Sequence, residues 1–294
     1  MGGMHMSETV SGMVHARSRP GRRIKWPQVA LYTALSIGAL FMLFPIAWMG
    51  LSAFKTEAEI NAYPPVVWPS EPTTQSLVEA WDRLNMGRML GNSLFLAGVI
   101  TPISVLTSTW IGFVLAKYEF PGRNIIFLAI MSTLMIPGSM LLIPRYQVAV
   151  WLNLVNKHAG VIIPGLLTPF GIFLMRQFMH AVPVELLEAS RMDGASEPRI
   201  LIQIVLPLVR PAMAALAIFL FLGTWEDLLW PLVILNNQKL FTVPLGLALL
   251  RGELPTHAMA NAAASIATFP VIALFLVFQR HIIRGITMTG MGGT

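Results

Sequence analysis

Cysteine is absent from the 294-residue chain, which excludes a disulfide framework and any thiolate metal site and leaves the redox compartment unreadable. Charge is scarce. Asp, Glu, Lys and Arg together make up 12% of residues, about half the share carried by an ordinary soluble domain. No Gly-x-x-x-x-Gly-Lys-Ser/Thr loop occurs, so the chain does not hold ATP in the P-loop manner. No His-Glu-x-x-His pair occurs, and the six histidines are scattered; a zinc protease is excluded, and neither a metal site nor a catalytic residue is assigned. The sequence pI is near 10.1, yet no basic helix, aromatic stacking platform or nucleic-acid fold pattern accompanies it, so nucleic acid is not an expected partner. No internal repeat with a period of roughly 20–50 residues is visible.

What is present is apolar. Hydrophobic residues make up 55% of the chain and mean hydropathy is +0.67, which marks an all-α integral membrane protein in a lipid bilayer. Runs of roughly 20 apolar residues place six transmembrane helices near 28–51, 91–116, 124–144, 159–179, 207–235 and 261–280. The first run is too long for a cleaved signal and lacks a small-residue cleavage site, so it is expected to stay as an anchor. Arg17, Arg19, Arg22, Arg23 and Lys25 precede it, which by the positive-inside rule holds the N-terminus in the cytoplasm. Counted from there, 13 of the 20 Lys and Arg residues fall on cytoplasmic segments and seven outside. An even number of spans returns the C-terminus, with Arg280 and Arg284, to the same side. The expected organisation is a disordered basic tail at 1–27, a six-span domain at 28–285 with its core at 88–281, and a cytoplasmic tail at 286–294. The external segment 52–90 carries Pro64, Pro65, Pro69 and Pro72, which predicts an extended loop followed by a short helix around Leu77–Asn85.

The polar break at 181–207 lies on the cytoplasmic side in this topology and predicts a helical hairpin. Pro183 can open a helix, and Gly194 can end it in the left-handed conformation that glycine adopts cheaply. Ser196 can cap a second helix with Glu197 in its first turn, where the helix dipole favours negative charge. The first helix would be about 15 Å long at 1.5 Å per residue, which suits a plug for a partner's groove and is too short for a span.

Elsewhere the residues leave two readings open. Glu226 and Asp227 interrupt the fifth apolar run, and an ionisable group at the bilayer centre costs on the order of 2.5–3.5 kcal/mol. They line a pathway or gate, or they sit near the external interface with Trp225 and Trp230 as anchors. Adjacent helical positions point about 100° apart, so both carboxylates cannot face one cavity equally. Asn92 and Ser93 start the second span as a helix cap or as a solute contact. Pro137-Gly138 inside the third span marks a kink or unwound turn, for packing or for gating.

Four segments carry a resemblance: EASRMDGASEPRILIQIVLPLVRP at 188–211, KYEFPGRN at 117–124, GTWEDLLWPL at 223–232 and QRHIIRGIT at 279–287. In order and spacing the chain resembles the permease subunits of bacterial carbohydrate ABC importers, the group that contains the second maltose-transporter permease. The first segment resembles that family's "EAA" loop, with Ser190 where alanine is commoner.

The resemblance implies the type I importer permease fold, six transmembrane helices with a cytoplasmic EAA coupling-helix hairpin, in the bacterial cytoplasmic (inner) membrane. It implies two ATPase subunits that hold the ATP and Mg, a second and distinct permease subunit, and an extracytoplasmic solute-binding protein reached by the 236–260 segment. This chain itself would carry no cofactor and would be no enzyme. Glu188, Ala189, Ser190, Asp193, Gly194, Ala195, Leu206 and Pro207 would form the ATPase-coupling set, with Leu206-Pro207 fixing the exit into the fifth span. Asn92, Trp225, Glu226 and Asp227 are the pathway or gate candidates. The implied cargo is a sugar, oligosaccharide or related polyol, moved by alternating access. Rival classes are a proton-coupled secondary transporter running on Glu226 or Asp227, a non-transport scaffold, and a permease for peptides or inorganic ions.

Overall fold

The computed structural model describes the backbone of residues 26–290 and the side chains of residues 27–276. The basic run at 17–25, the tail expected before residue 28 for the most part, and the side chains of the 279–287 segment lie outside the described residues. The chain divides into two units, residues 1–47 and 48–294. Among the described residues the first unit is the larger part of α1 (Trp26–Ser52), whose most apolar window has a mean hydropathy of 2.0.

The second unit opens with a connection pinned by polar groups. Lys55 is 1% exposed; its ammonium donates to the Val66 carbonyl at 2.7 Å and lies 4.2 Å from the centre of the Trp48 ring. Thr56 and Glu59 form a capping box on the one-turn helix α2 (Glu57–Ile60), each side chain taking the other's backbone amide. Glu59 also accepts from the Ser70 amide at 2.7 Å. That bond and the one from the Thr56 amide hold its carboxyl down at about 2, against 4.5. A depressed carboxyl stabilises the loop above the unfolded value and loses that contribution as pH falls from 4.5 towards 2. Protection of the Ser70 amide against hydrogen exchange, relative to a Glu59→Gln chain, is expected to vanish over that interval. Equal protection in the two chains at neutral pH would contradict the assignment. Neighbouring Glu57 accepts from the amides of His257 at 3.1 Å and Ala258 at 2.9 Å, so it caps α14 (His257–Gly290).

α3 (Gln75–Arg83) packs on α14, and then α4 (Met86–Lys117) runs through the unit. At 1.5 Å per residue α4 is about 48 Å long and joins two cores. Met86, Met89, Leu96 and Ile100 of its first half meet Trp230, Ile234, Val243 and Ala262. Val105, Phe113 and Ala116 of its second half meet Met175, Met179, Leu187, Ile200 and Val209. Its most extensive partner is α8 (Pro169–His180). Gly112 makes that approach possible, because a Cβ there would stand 2.8 Å from the Arg176 nitrogen and 2.9 Å from the Met175 Cβ.

Among the described residues five helices are long and apolar enough to cross a membrane, and six if one bent pair counts as a span. That pair replaces the third predicted run. Helix α5 (Arg123–Thr133) and the segment Gly138–Trp151, which contains α6 (Leu142–Trp151), meet at 96°. The break falls at Leu134–Pro137, where Pro137 lacks an amide donor and restricts the residue before it. The fourth run is interrupted between α7 (His158–Gly165) and α8. The fifth needs correction. Its helix runs over Glu197–Glu226, not 207–235, because the polar turn α10 (Glu197–Ile200), with Pro198 near its N-terminus, feeds directly into α11 (Leu206–Glu226). A hydropathy window discounts such a charged helix end. Helices α12 (Leu229–Ile234) and α13 (Val243–Leu249) follow, and α14 begins ahead of the predicted 261. No strand occurs among the described residues.

Candidate functional site

The 181–207 segment folds as a short helix, α9 (Val184–Met192), joined to α10 by a tight turn. Pro183 occupies the N-cap position and Asp193 the C-cap. Gly194 has φ of 80°. Its amide donates to the Arg191 carbonyl at 3.0 Å, and the Ala195 amide reaches back to the Ser190 carbonyl at 3.0 Å. These two bonds make a Schellman stop. Ser196 adopts the extended N-cap conformation but makes no side-chain capping bond.

One face of α9 is locked and the other is free. Leu187 is 1% exposed and Ser190 9%, and the Ser190 hydroxyl donates to the Leu186 carbonyl at 2.6 Å. Glu188, Ala189, Met192, Asp193 and Gly194 are exposed, with Met192 at 88%. Ala195 is partly buried against the second core. Leu206-Pro207 stands at the start of α11, where the hairpin passes into the fifth span. A π turn at Leu201–Val205 carries the helix straight on, with the Leu206 amide bonded to the Leu201 carbonyl. The wider register accommodates Pro207, which has no amide to donate.

The KYEFPGRN segment supplies a clamp that sequence reasoning did not assign. Lys117 donates to the Val182 carbonyl at the entry to α9. The Tyr118 hydroxyl donates to Glu197, and Arg191 forks onto the same carboxylate at 2.7 and 3.3 Å. Partial burial, then the bond to Glu197, pushes the Tyr118 hydroxyl up, so it stays a donor. One carboxylate thus ties α9, α10 and the end of α4 together. Charge-assisted bonds of this kind are the stronger ones, though exposure of both Arg191 and Glu197 limits the ion pair to about 0–1 kcal/mol.

The pathway candidates separate. Asn92 lies inside α4 and caps no helix end; its amide donates to the Lys239 and Phe241 carbonyls, both at 2.9 Å. Beside it the Ser93 hydroxyl accepts from the Val243 amide at 2.9 Å. Trp225 is 4% exposed and stacks on Phe221, and Trp230, 2% exposed, donates to the Gly160 carbonyl. Both indoles are therefore interior and not surface anchors. Glu226 ends α11 and is exposed. Asp227 accepts from the Trp230 amide at 3.3 Å and lines a cavity of about 260 Å³ together with Arg145, Thr168, Thr224, Phe219 and Trp230. The Arg145 guanidinium covers the Trp230 ring at 4.1 Å. Arg145, in the third span, gave no motif signal; the neighbouring proline breaks were the available hint.

The sequence profile of the family described as "Binding-protein-dependent transport system inner membrane component" matches residues 108–288. The arabinooligosaccharides transport system permease protein AraQ of Halalkalibacterium halodurans is 36% identical over 267 residues, covering 88% of this chain and 96% of that protein. The sn-glycerol-3-phosphate transport system permease protein UgpE of Escherichia coli O1:K1 is 32% identical over 270 residues, covering 89% and 96%. A chain of a bacterial ABC transporter involved in the import of the acidic polysaccharide alginate superposes with a TM-score of 0.76 at 22% identity, over 86% of this chain and 95% of that one. It supports the fold, while the profile and the two permease relatives establish kinship. This chain belongs to the family of binding-protein-dependent transport system inner membrane components.

Proposed function

We propose that this chain is one of two permease subunits in an ATP-driven importer for a sugar, oligosaccharide or related polyol. The observation that carries the coupling role is the two-faced α9. Its inner face is fixed by Leu187, Ser190 and the Glu197 clamp, while Glu188, Ala189 and Met192 stand outward, exposed among the described residues. A short helix held at both ends moves as a rigid body, so a push on its outer face passes into α4 and α11. The cargo class is supported by relatives named for an arabinooligosaccharide and for sn-glycerol 3-phosphate, both polyhydroxylated. A second solved structure of similar fold, with a TM-score of 0.56 at 13% identity, is a bacterial alginate ABC transporter in complex with an alginate pentasaccharide-bound periplasmic protein, and it supports delivery by a binding protein. ATP and Mg would sit on a separate pair of ATPase subunits. Both termini and the hairpin face the cytoplasm in this reading, on the balance of Lys and Arg.

A proton-coupled carrier gains little support: Glu226 is exposed at a helix end, and Asp227 is engaged by the Trp230 amide. The test is affinity capture of the tagged chain from mild-detergent extracts, with mass spectrometry of what is retained. An ATPase subunit and a second permease are expected. Glu188→Ala removes an exposed carboxylate placed to meet a cationic partner, and a charge-assisted bond is worth about 1.5–3 kcal/mol. Recovery of the ATPase should fall about tenfold or more in that chain. Undiminished recovery and undiminished solute-stimulated hydrolysis would contradict the role given to Glu188.

A further inference from the structure

Three interrupted spans come together around the cavity that holds Asp227. The break between α7 and α8 contributes Thr168, the end of α11 contributes Thr224 and Asp227, and α6, one arm of the bent pair, contributes Arg145. Irregular backbone at membrane depth is tolerated where it is buried in protein or lines a water-filled cavity. A packing void left dry is lined by apolar groups. This lining instead offers a guanidinium, a carboxylate and two hydroxyls.

The charged pair is not closed on itself. The one direct ion pair among the described residues is Arg191–Glu197, so Arg145 and Asp227 share the cavity without meeting. The Arg145 Nε is buried and has no hydrogen-bond partner. Accepting from the Trp230 amide leaves the Asp227 carboxylate further lone pairs, since an ionised carboxylate takes about four donors. Phe219, 52% exposed, sets an apolar ring beside these polar groups, held edge-on to Phe170 at 6.1 Å.

We infer that this cavity is where the chain contacts solute in transit, and that it takes one unit of an uncharged oligosaccharide. The inference rests on the importer reading above. A sugar ring is two-sided: its hydroxyl edge both donates and accepts, and its C–H face is apolar. Hydroxyls donate to Asp227 and accept from Arg145, and the C–H face lies on Phe219. The opposite charges sum to zero, which suits a neutral ring. An anionic solute would be attracted by Arg145 and repelled by Asp227 in the same low-dielectric space, so the pair gives it no net advantage over a neutral ring. At about 260 Å³ the space on this chain has room for a single sugar ring.

The absence of cysteine makes the test direct. Thr224→Cys gives this chain its one thiol, and the full importer, with cysteine-free partner subunits, is reconstituted in liposomes. Arabinotriose, maltotriose and sn-glycerol 3-phosphate serve as probes. The transported trisaccharide is expected to slow methanethiosulfonate modification of that thiol several-fold, and to leave a thiol placed by Ser70→Cys unaffected. Asp227→Asn, in complexes that remain assembled on size exclusion, is expected to lower trisaccharide uptake about ten- to hundredfold, the worth of a hydrogen bond to a charged group. ATP-driven trisaccharide uptake with an unprotected thiol would overturn the inference and leave the importer reading standing. So would uptake of sn-glycerol 3-phosphate with neither trisaccharide carried. Should Asp227→Asn fail to assemble, thiol protection alone decides. An unaltered complex that moves no probe and whose ATP hydrolysis ignores the loaded binding protein would overturn the importer reading itself.

Discussion

Gly112→Val is expected to lower the thermal midpoint of the detergent-purified protein by several degrees, and to reduce the amount recovered from the membrane. The new Cβ would stand 2.8 Å from the Arg176 nitrogen and 2.9 Å from the Met175 Cβ, and two of the three nearest atoms belong to the α8 backbone. A flexible side chain could swing aside; a packed helix cannot. Overpacking costs about 1–3 kcal/mol where a core can relax, and this contact lies in the most extensive helix pair of the fold. Prising α4 from α8 also breaks the bond from Arg176 Nε to the Leu115 carbonyl at 3.2 Å. Gly98→Val on the same helix is the control, because nothing lies within 4 Å of a Cβ there. The two chains share the same loss of glycine flexibility, so equal midpoints would mean that the close α4–α8 approach is not real.

Gly194→Val is expected to abolish most solute uptake while the spans still insert. Gly194 has φ of 80° and open space around it, so the penalty is conformational and not steric crowding. A non-glycine residue in the left-handed region pays about 1–2 kcal/mol, and a β-branched side chain resists it further. Relaxing to negative φ would break both bonds of the Schellman stop and swing Asp193 and the end of α9 off their present course. The helix that should meet the ATPase would then be aimed wrongly, even though the membrane domain is untouched. Gly194→Asn distinguishes aim from bulk, since asparagine tolerates this conformation. Uptake should recover substantially in the asparagine chain. Normal uptake by the valine chain, or equal failure of both, would refute the dependence on backbone conformation.

How much of this was legible beforehand depended on how local each signal is. The hairpin was readable because Pro183, Gly194 and Glu197 act within a few residues of themselves, and the helix stops where glycine makes stopping cheap. The number of apolar runs was readable for the same reason. The 96° bend was foreshadowed by Pro137-Gly138, but its size depends on what α6 packs against. The start of the fifth helix was misplaced because Glu197 and Arg199 read as a separate hairpin helix, whereas that turn runs on into α11 without a break. Contacts across the chain left no trace at all. Asn92 serves carbonyls 147 and 149 positions away, and Tyr118 reaches Glu197 across 79. Arg145 and Asp227 share a cavity only because separate helix breaks coincide in space.

The cap that Glu57 places on α14 has a consequence for how the protein is made. The carboxylate and the amides it serves are separated by 200 and 201 positions, and at about 5–20 residues per second that gap takes roughly 10–40 s to synthesise. Throughout that time the first extramembrane connection exists without its final partner. The α2 turn carries its own capping box, which needs no residue beyond Glu59. When the last helix enters the bilayer, its free amide end finds an acceptor already in position. A last helix inserted the wrong way round would present carbonyls to Glu57 instead of amides, and this cap could not form.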